Sequence, residues 1–156
     1  MKYAIPLLFS LLPLLANALE PGEKLAPWTL LDQHEQAYSL DTRTHILLVA
    51  RDMDGAKLVK AALGEQPRGY LEARDAVFVA DIQRMPALIS KLFAIPAMRD
   101  YNYRVLLDRE GRVASRYSGQ DGQVQWLQLR EGVLVGQHSF ADAAALKAAL
   151  ENAPQH

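Results

Sequence analysis

Residues 103 to 150 read YRVLLDREGRVASRYSGQDGQVQWLQLREGVLVGQHSFADAAALKAAL. Arg104 to Asp108 is an apolar run closed by an acid, which predicts a buried strand. Val124, Trp126, Leu127 and Leu129 predict a second strand, Glu131-Gly132 a tight turn, and Val133 to Val135 an antiparallel return. Ser139, with Asp142 three residues on, resembles a capping box, and Ala145, Leu146, Ala149 and Leu150 put one apolar stripe on a closing helix. Between the first two strands, residues 109 to 119 allow two readings. Glu110-Gly111 can turn into a strand over Arg112 to Arg116, or REGRVASRY can form a short helix ending near Gly119. The helical spacing of Val113, Ala114 and Tyr117 favours the helix.

Upstream, strands and helices alternate. Ala76 to Asp81 is a buried strand; Pro86 opens a helix through Leu88, Ile89, Leu92 and Phe93, and Pro96 is expected to stop it. His45 to Arg51 is an unbroken apolar run between polar residues, the pattern of a parallel strand covered on both faces and expected at the sheet's middle. Asp52 or Asp54 can cap the helix that follows, whose apolar positions Ala56, Leu58, Val59, Ala62 and Leu63 run to Gly64. Gln66 to Gly69 is a loop. Before all this, Pro21 to Leu40 reads as a hairpin: an extended piece at Ala26 to Leu31, a polar turn at Asp32 to Glu35, and a return at Tyr38 to Leu40. Alternation of this kind predicts an α/β fold with right-handed crossovers and a mixed or parallel sheet.

Composition narrows the function classes. At 156 residues, half of them apolar, the chain supports one domain with a sizeable core. Seventeen basic against 18 acidic residues give no field that would mark a nucleic-acid binder. The opening MKYAIPLLFSLLPLLANA has a lysine, an apolar run from Ile5 to Leu15 and a small-x-small site at Ala16 to Ala18, the form of a secretory signal peptide. Pro6 and Pro13 interrupt the run, and it is shorter than the roughly 20 residues a spanning helix needs. The expectation is therefore a signal peptide over residues 1–18, a domain over 19–156, no membrane span after cleavage, and a periplasmic location. No Asn-x-Ser/Thr site is present, which fits a bacterial periplasm. There is no cysteine, so packing rather than disulfides must hold the domain.

The element order, with Gly22, Ala26-Pro27, Leu30 or Leu31 and Asp32, the run from Val105 to Ser118, and the terminal hairpin and helix, resembles the thioredoxin-like superfamily over residues 22 to 151. The likeness is greatest to its secreted TlpA and redoxin branch, including YtfJ-like proteins. The resemblance implies a thioredoxin-like fold: a central mixed sheet flanked by helices, with an N-terminal hairpin and a C-terminal hairpin plus helix. In that family a Cys-x-x-Cys opens the helix after the central strand, because a helix N-terminus stabilises a thiolate. The corresponding place here is Met53 to Lys57, with Asp54 and Lys57 nearest the two cysteine positions. The family's cis-proline should fall at Gln123 or Val124; with neither a proline, a trans peptide is expected. Thiol-disulfide exchange and thiol peroxidase chemistry are excluded by composition.

The degenerate position defines a candidate interaction face: Arg51, Asp52, Asp54, Lys57, Gln123 and Val124. Asp52 and Asp54 could serve a metal or act as a general base, but capping explains them more simply. Arg51 is expected to pair with a nearby carboxylate. The four histidines (His34, His45, His138, His156) form no ligand cluster in sequence, and Met53, Met85 and Met98 are scattered packing residues rather than a copper stripe. No serine lies in a nucleophile-elbow context, and no phosphate loop or dinucleotide fingerprint occurs. Tyr101 to Tyr103 is the best candidate for an exposed aromatic contact. The expected function is a non-catalytic binding module, without cofactor, for a periplasmic protein or small ligand. The alternative is an accessory of a redox or envelope-stress pathway with a non-thiol enzymatic or cofactor-binding role.

Overall fold

The computed structural model describes residues 19–156. The signal-peptide reading lies outside them.

Seven strands form one mixed sheet in the order β2-β1-β5-β4-β3-β6-β7. They are β1 (Thr29–Asp32), β2 (Ala37–Ser39), β3 (Ile46–Ala50), β4 (Ala76–Asp81), β5 (Leu106–Asp108), β6 (Val124–Arg130) and β7 (Val133–Phe140). The run Ile46 to Ala50 is buried at all five positions because β3 pairs parallel with β4 on one side and antiparallel with β6 on the other. It is interior, yet β4 rather than β3 is the middle strand, since the N-terminal hairpin adds β1 and β2 beyond β5.

Alternate residues divide the core. Leu48, Phe78, Leu107 and Trp126 pack on one face with helix α1 (Met53–Leu63) and helix α3 (Ala143–Glu151). Leu47, Val79, Leu106 and Leu127 pack on the other with Leu25, Trp28, Val113 and Tyr117. On that second face the Trp28 indole N–H donates to the Tyr117 hydroxyl at 2.8 Å. The segment before β1 runs beside the start of β7, with Gly22 N–H donating to Leu134 O and Leu134 N–H to Glu23 O. The beginning of an otherwise open sheet edge is covered this way.

Local chemistry corrects several expectations. Residues 109 to 119 are neither a strand nor a full helix: only a 3₁₀ turn, Ala114–Arg116, forms. The buried Asp108 carboxylate accepts from Val113 N–H (2.9 Å) and Ala114 N–H (2.7 Å), so the side chain supplies the partners a longer helix would have supplied. Closing helix α3 is capped by Asp142, which accepts from Ala144 N–H at 3.0 Å, and not by Ser139. Ser139 lies in β7 and donates to Gln125 Oε1 at 2.7 Å.

Pro96 does not stop its helix. Residues 87–98 form one continuous helix, α2, built from an α turn (Ala87–Ile89), a π segment (Ser90–Ala94) and a second α turn (Ile95–Met98). Ile95 N–H bonds back to Ser90 O, five residues away. That wider turn moves the preceding carbonyls off the proline ring, and Pro96 then sits in the first turn of the next stretch, where its missing N–H is tolerated.

The Glu131-Gly132 turn joins β6 to β7 as expected. Both residues have positive φ (51° and 80°), the twist that a two-residue hairpin requires.

Candidate functional site

The degenerate position lies at the carboxyl end of β3. Asp52 has extended backbone and caps α1: its Oδ1 accepts from Gly55 N–H at 2.9 Å. Its Oδ2 accepts from Gly122 N–H at 2.7 Å, in the loop leading into β6. One carboxylate therefore ties the start of α1 to that loop. Gly55 completes the closure: a Cβ there would stand 2.6 Å from the Gln123 carbonyl oxygen, so the residue must lack one. Arg51 does not pair with a carboxylate. Its Nη1 donates to the carbonyls of Tyr117 (3.4 Å) and Gly119 (3.3 Å), pinning the other end of the same loop.

The structure thus brings Arg51, Asp52 and Gln123 together, but as structural partners. Val124 is completely buried, pairs with Ala50 across the sheet, and cannot belong to a contact surface. Asp54 and Lys57 are exposed on the first turns of α1 and make no hydrogen bond or ion pair within the described residues. All peptides among the described residues are trans, Gln123-Val124 included.

What borders this position was not singled out from the sequence. On α2, Leu88 and Phe93 are each 66 % exposed, with Leu92 at 54 % and Ile89 at 46 %. Met53, at the start of α1, is 46 % exposed. The α2 residues buried against the rest of the domain are Ser90, Ile95 and Met98. A cavity of about 490 Å³ lies between the two helices, lined by Met53, Asp54, Ile82, Met85, Pro86 and Ile89. Met53 and Met85 are therefore brought to one cavity, whereas Met98 is core.

Two further expectations change. Tyr103 is buried, stacked on Tyr101 at 5.2 Å between ring centroids, and burial raises its hydroxyl pKa far above the ordinary value. Lys60 Nζ covers Tyr101 at 5.2 Å, so this pair is not an open aromatic contact. Two of the four histidines converge in one place, at the amino end of the sheet. Asp75 meets His156 Nε2 at 2.8 Å and His45 Nδ1 at 3.4 Å, and the bond to Asp75 raises the His156 pKa. Among the described residues no group of three or more His, Asp or Glu side chains is arranged to hold a metal ion.

These features define the class: a thioredoxin-like α/β fold whose dithiol position is occupied by a capped, clamped helix start without sulfur. Comparisons with solved structures agree on the fold. A peroxidoxin, BcpB, from Mycobacterium tuberculosis is 18 % identical, covers 85 % of this chain and 97 % of its own, and superposes with a TM-score of 0.55. A putative thiol:disulfide interchange protein, DsbE, from Chlorobium tepidum is 20 % identical over 85 % and 99 %, with a TM-score of 0.55. A putative protein disulfide isomerase from Bacteroides thetaiotaomicron gives 13 %, 85 % and 87 %, with a TM-score of 0.58. No protein-family profile and no curated protein sequence matches the chain. The likeness at these identities is to the fold, and it does not single out the YtfJ-like branch.

Proposed function

We propose that the protein is an exported, non-catalytic binding module of thioredoxin-like fold, which takes an apolar surface of a partner protein on α2 at the carboxyl end of its sheet. The observation that carries this reading is the exposure of Leu88, Ile89, Leu92 and Phe93 beside Met53. Four large apolar side chains within six positions of one helix form a contiguous patch, and such patches on soluble domains mark contact surfaces. Being about half exposed, each contributes roughly half of the 1.5–3 kcal/mol of a wholly exposed side chain when removed from water. The neighbouring dithiol position supplies no competing chemistry: the chain has no cysteine, and Asp52 is consumed by two backbone N–H groups. Export rests on the N-terminal MKYAIPLLFSLLPLLANA pattern.

The test is site-specific photo-crosslinking in intact bacteria with the crosslinker at position 92. A discrete adduct that disappears with Phe93→Asp, but persists with Arg43→Asp at the far end of the sheet, is the expected result. An adduct indifferent to Phe93→Asp, or none at all, overturns the reading. The N-terminal mass of the mature protein checks export separately, with Leu19 expected first.

A further inference from the structure

A second cavity, of about 440 Å³, opens at the opposite end of the sheet from α2. Its walls come from the start of β4, the β2 to β3 connection, the turn before β4 and the residues leading into β5. Val77 is part-exposed at its base, with the buried Leu71 and Phe78 behind. The size falls within the roughly 300–1,000 Å³ typical of small-molecule sites.

The charges around it are mostly spent on one another. Arg43 Nη2 pairs with Asp41 at 3.2 Å, and the Arg43 backbone N–H holds the Asp41 carboxyl below its ordinary pKa. Asp75 is engaged by His156 and His45, and the hydroxyls of Tyr38 and Thr44 bond each other at 2.9 Å. Two groups remain. Arg104 Nε lies 3.6 Å from the buried Asp32 carboxylate and its guanidinium stands 5.5 Å from the centre of the Tyr38 ring, while its two terminal nitrogens make no hydrogen bond within the described residues. Glu72 makes none either. Arg104 and Glu72 line both this cavity and a smaller neighbouring one of about 200 Å³, so they form the partition between them without closing an ion pair.

We infer that this cavity binds a small zwitterion with an apolar body, of dipeptide size. Its carboxylate lies along the two terminal nitrogens of Arg104, its ammonium meets Glu72, and its apolar side chains lie against the part-exposed Val77. The Asp32 carboxylate and the Tyr38 ring hold the guanidinium by charge, and the paired Nη edge, the one that receives a carboxylate with two parallel bonds, keeps its hydrogen-bonding capacity. An uncharged apolar ligand would leave both charges unmatched, and a simple anion would leave Glu72 opposed.

The test is a two-dimensional amide NMR titration of residues 19–156 with L-leucyl-L-phenylalanine. Saturable shifts at Val77, Phe78 and Arg104, without shifts at Gly55 or Gly122, are expected. Arg104→Lys keeps the charge but loses the fork, and should weaken binding about tenfold, the equivalent of one charge-assisted hydrogen bond. Glu72→Gln, an exposed change that leaves the fold intact, should weaken the free dipeptide while leaving its N-acetyl form unaffected. Absence of saturable shifts overturns the proposal, as does equal binding of the acetylated and free peptides to the unsubstituted protein. If Arg104→Lys fails to fold, the Glu72→Gln comparison decides. Shifts confined to the α2 residues would count against this cavity while leaving the α2 binding surface standing.

Discussion

The two ends of the sheet use their polar groups in opposite ways. At the carboxyl end, where a thioredoxin-like fold ordinarily presents its reactive residues, Asp52 bonds two backbone amides and Arg51 two carbonyls, so the loop before β6 is fastened shut. Exposed beside it are the apolar side chains of α2, with Asp54 and Lys57 on α1. At the amino end the backbone is secured by Asp75, whose carbonyl accepts from His45 and Ile46, and Arg104 and Glu72 are left with hydrogen-bonding capacity. The bonded polar groups of the carboxyl end thus serve structure, while Arg104 and Glu72 at the amino end keep unspent hydrogen-bonding groups.

The contrast can be broken by substitution. The largest effect should come from Asp52→Ala, which removes a helix cap and a charge-assisted bond to Gly122 together. A loss of about 2–4 kcal/mol in urea unfolding is expected, with faster exchange of the Gly55 and Gly122 amides. A loss below 1 kcal/mol would mean the clamp is not structural. Gly55→Ala should cost somewhat less, about 1–3 kcal/mol, because the new methyl must displace the Gln123 carbonyl; a crystal structure of the variant would locate the shift.

Phe93→Asp should change stability by no more than about 0.5 kcal/mol, since the ring has few contacts to lose, and should raise solubility. A large destabilisation there would transfer α2 from the contact surface to the core.

The smallest effect is the pH dependence of the amino end. The bond to Asp75 raises the His156 pKa above the ordinary value of about 6.5. Its contribution to stability is therefore complete below the unfolded value and is lost as pH rises through the higher folded one. Asp75→Asn should abolish that part of the pH dependence and return His156 to an ordinary titration by NMR.

Much of the fold was legible because the strands carry their burial in sequence. Ile46 to Ala50 and Ala76 to Asp81 are continuous apolar runs, and the structure makes them adjacent parallel strands. The hairpin at Glu131-Gly132 was legible from turn chemistry. Helix α2 was not. Pro96 signals a stop only if the hydrogen-bond ladder stays α-helical, and nothing local in SKLFA announces the π segment that carries the helix past it.

The candidate site was legible as a position but not as a role. Asp52 was identifiable as a cap from its place before the helix, whereas its second bond to Gly122, seventy residues away, depends on tertiary approach. The convergence of His45 and His156 on Asp75 has the same character, since the three residues come from separate segments. Val124 was misjudged because position in a loop motif does not report depth, and its side chain is sealed beneath the sheet's end.

The strip from Gly22 to Leu25 guards the last strand, with Gly22, Glu23 and Leu25 each bonded into the Gly132 to Leu134 backbone. Shortening the chain to start at Ala26 would leave those amides and carbonyls bare, a template on which a second molecule could lay its own margin. The lead-in is then a safeguard against chains zipping together, and its removal should be visible as concentration-dependent dimers in sedimentation.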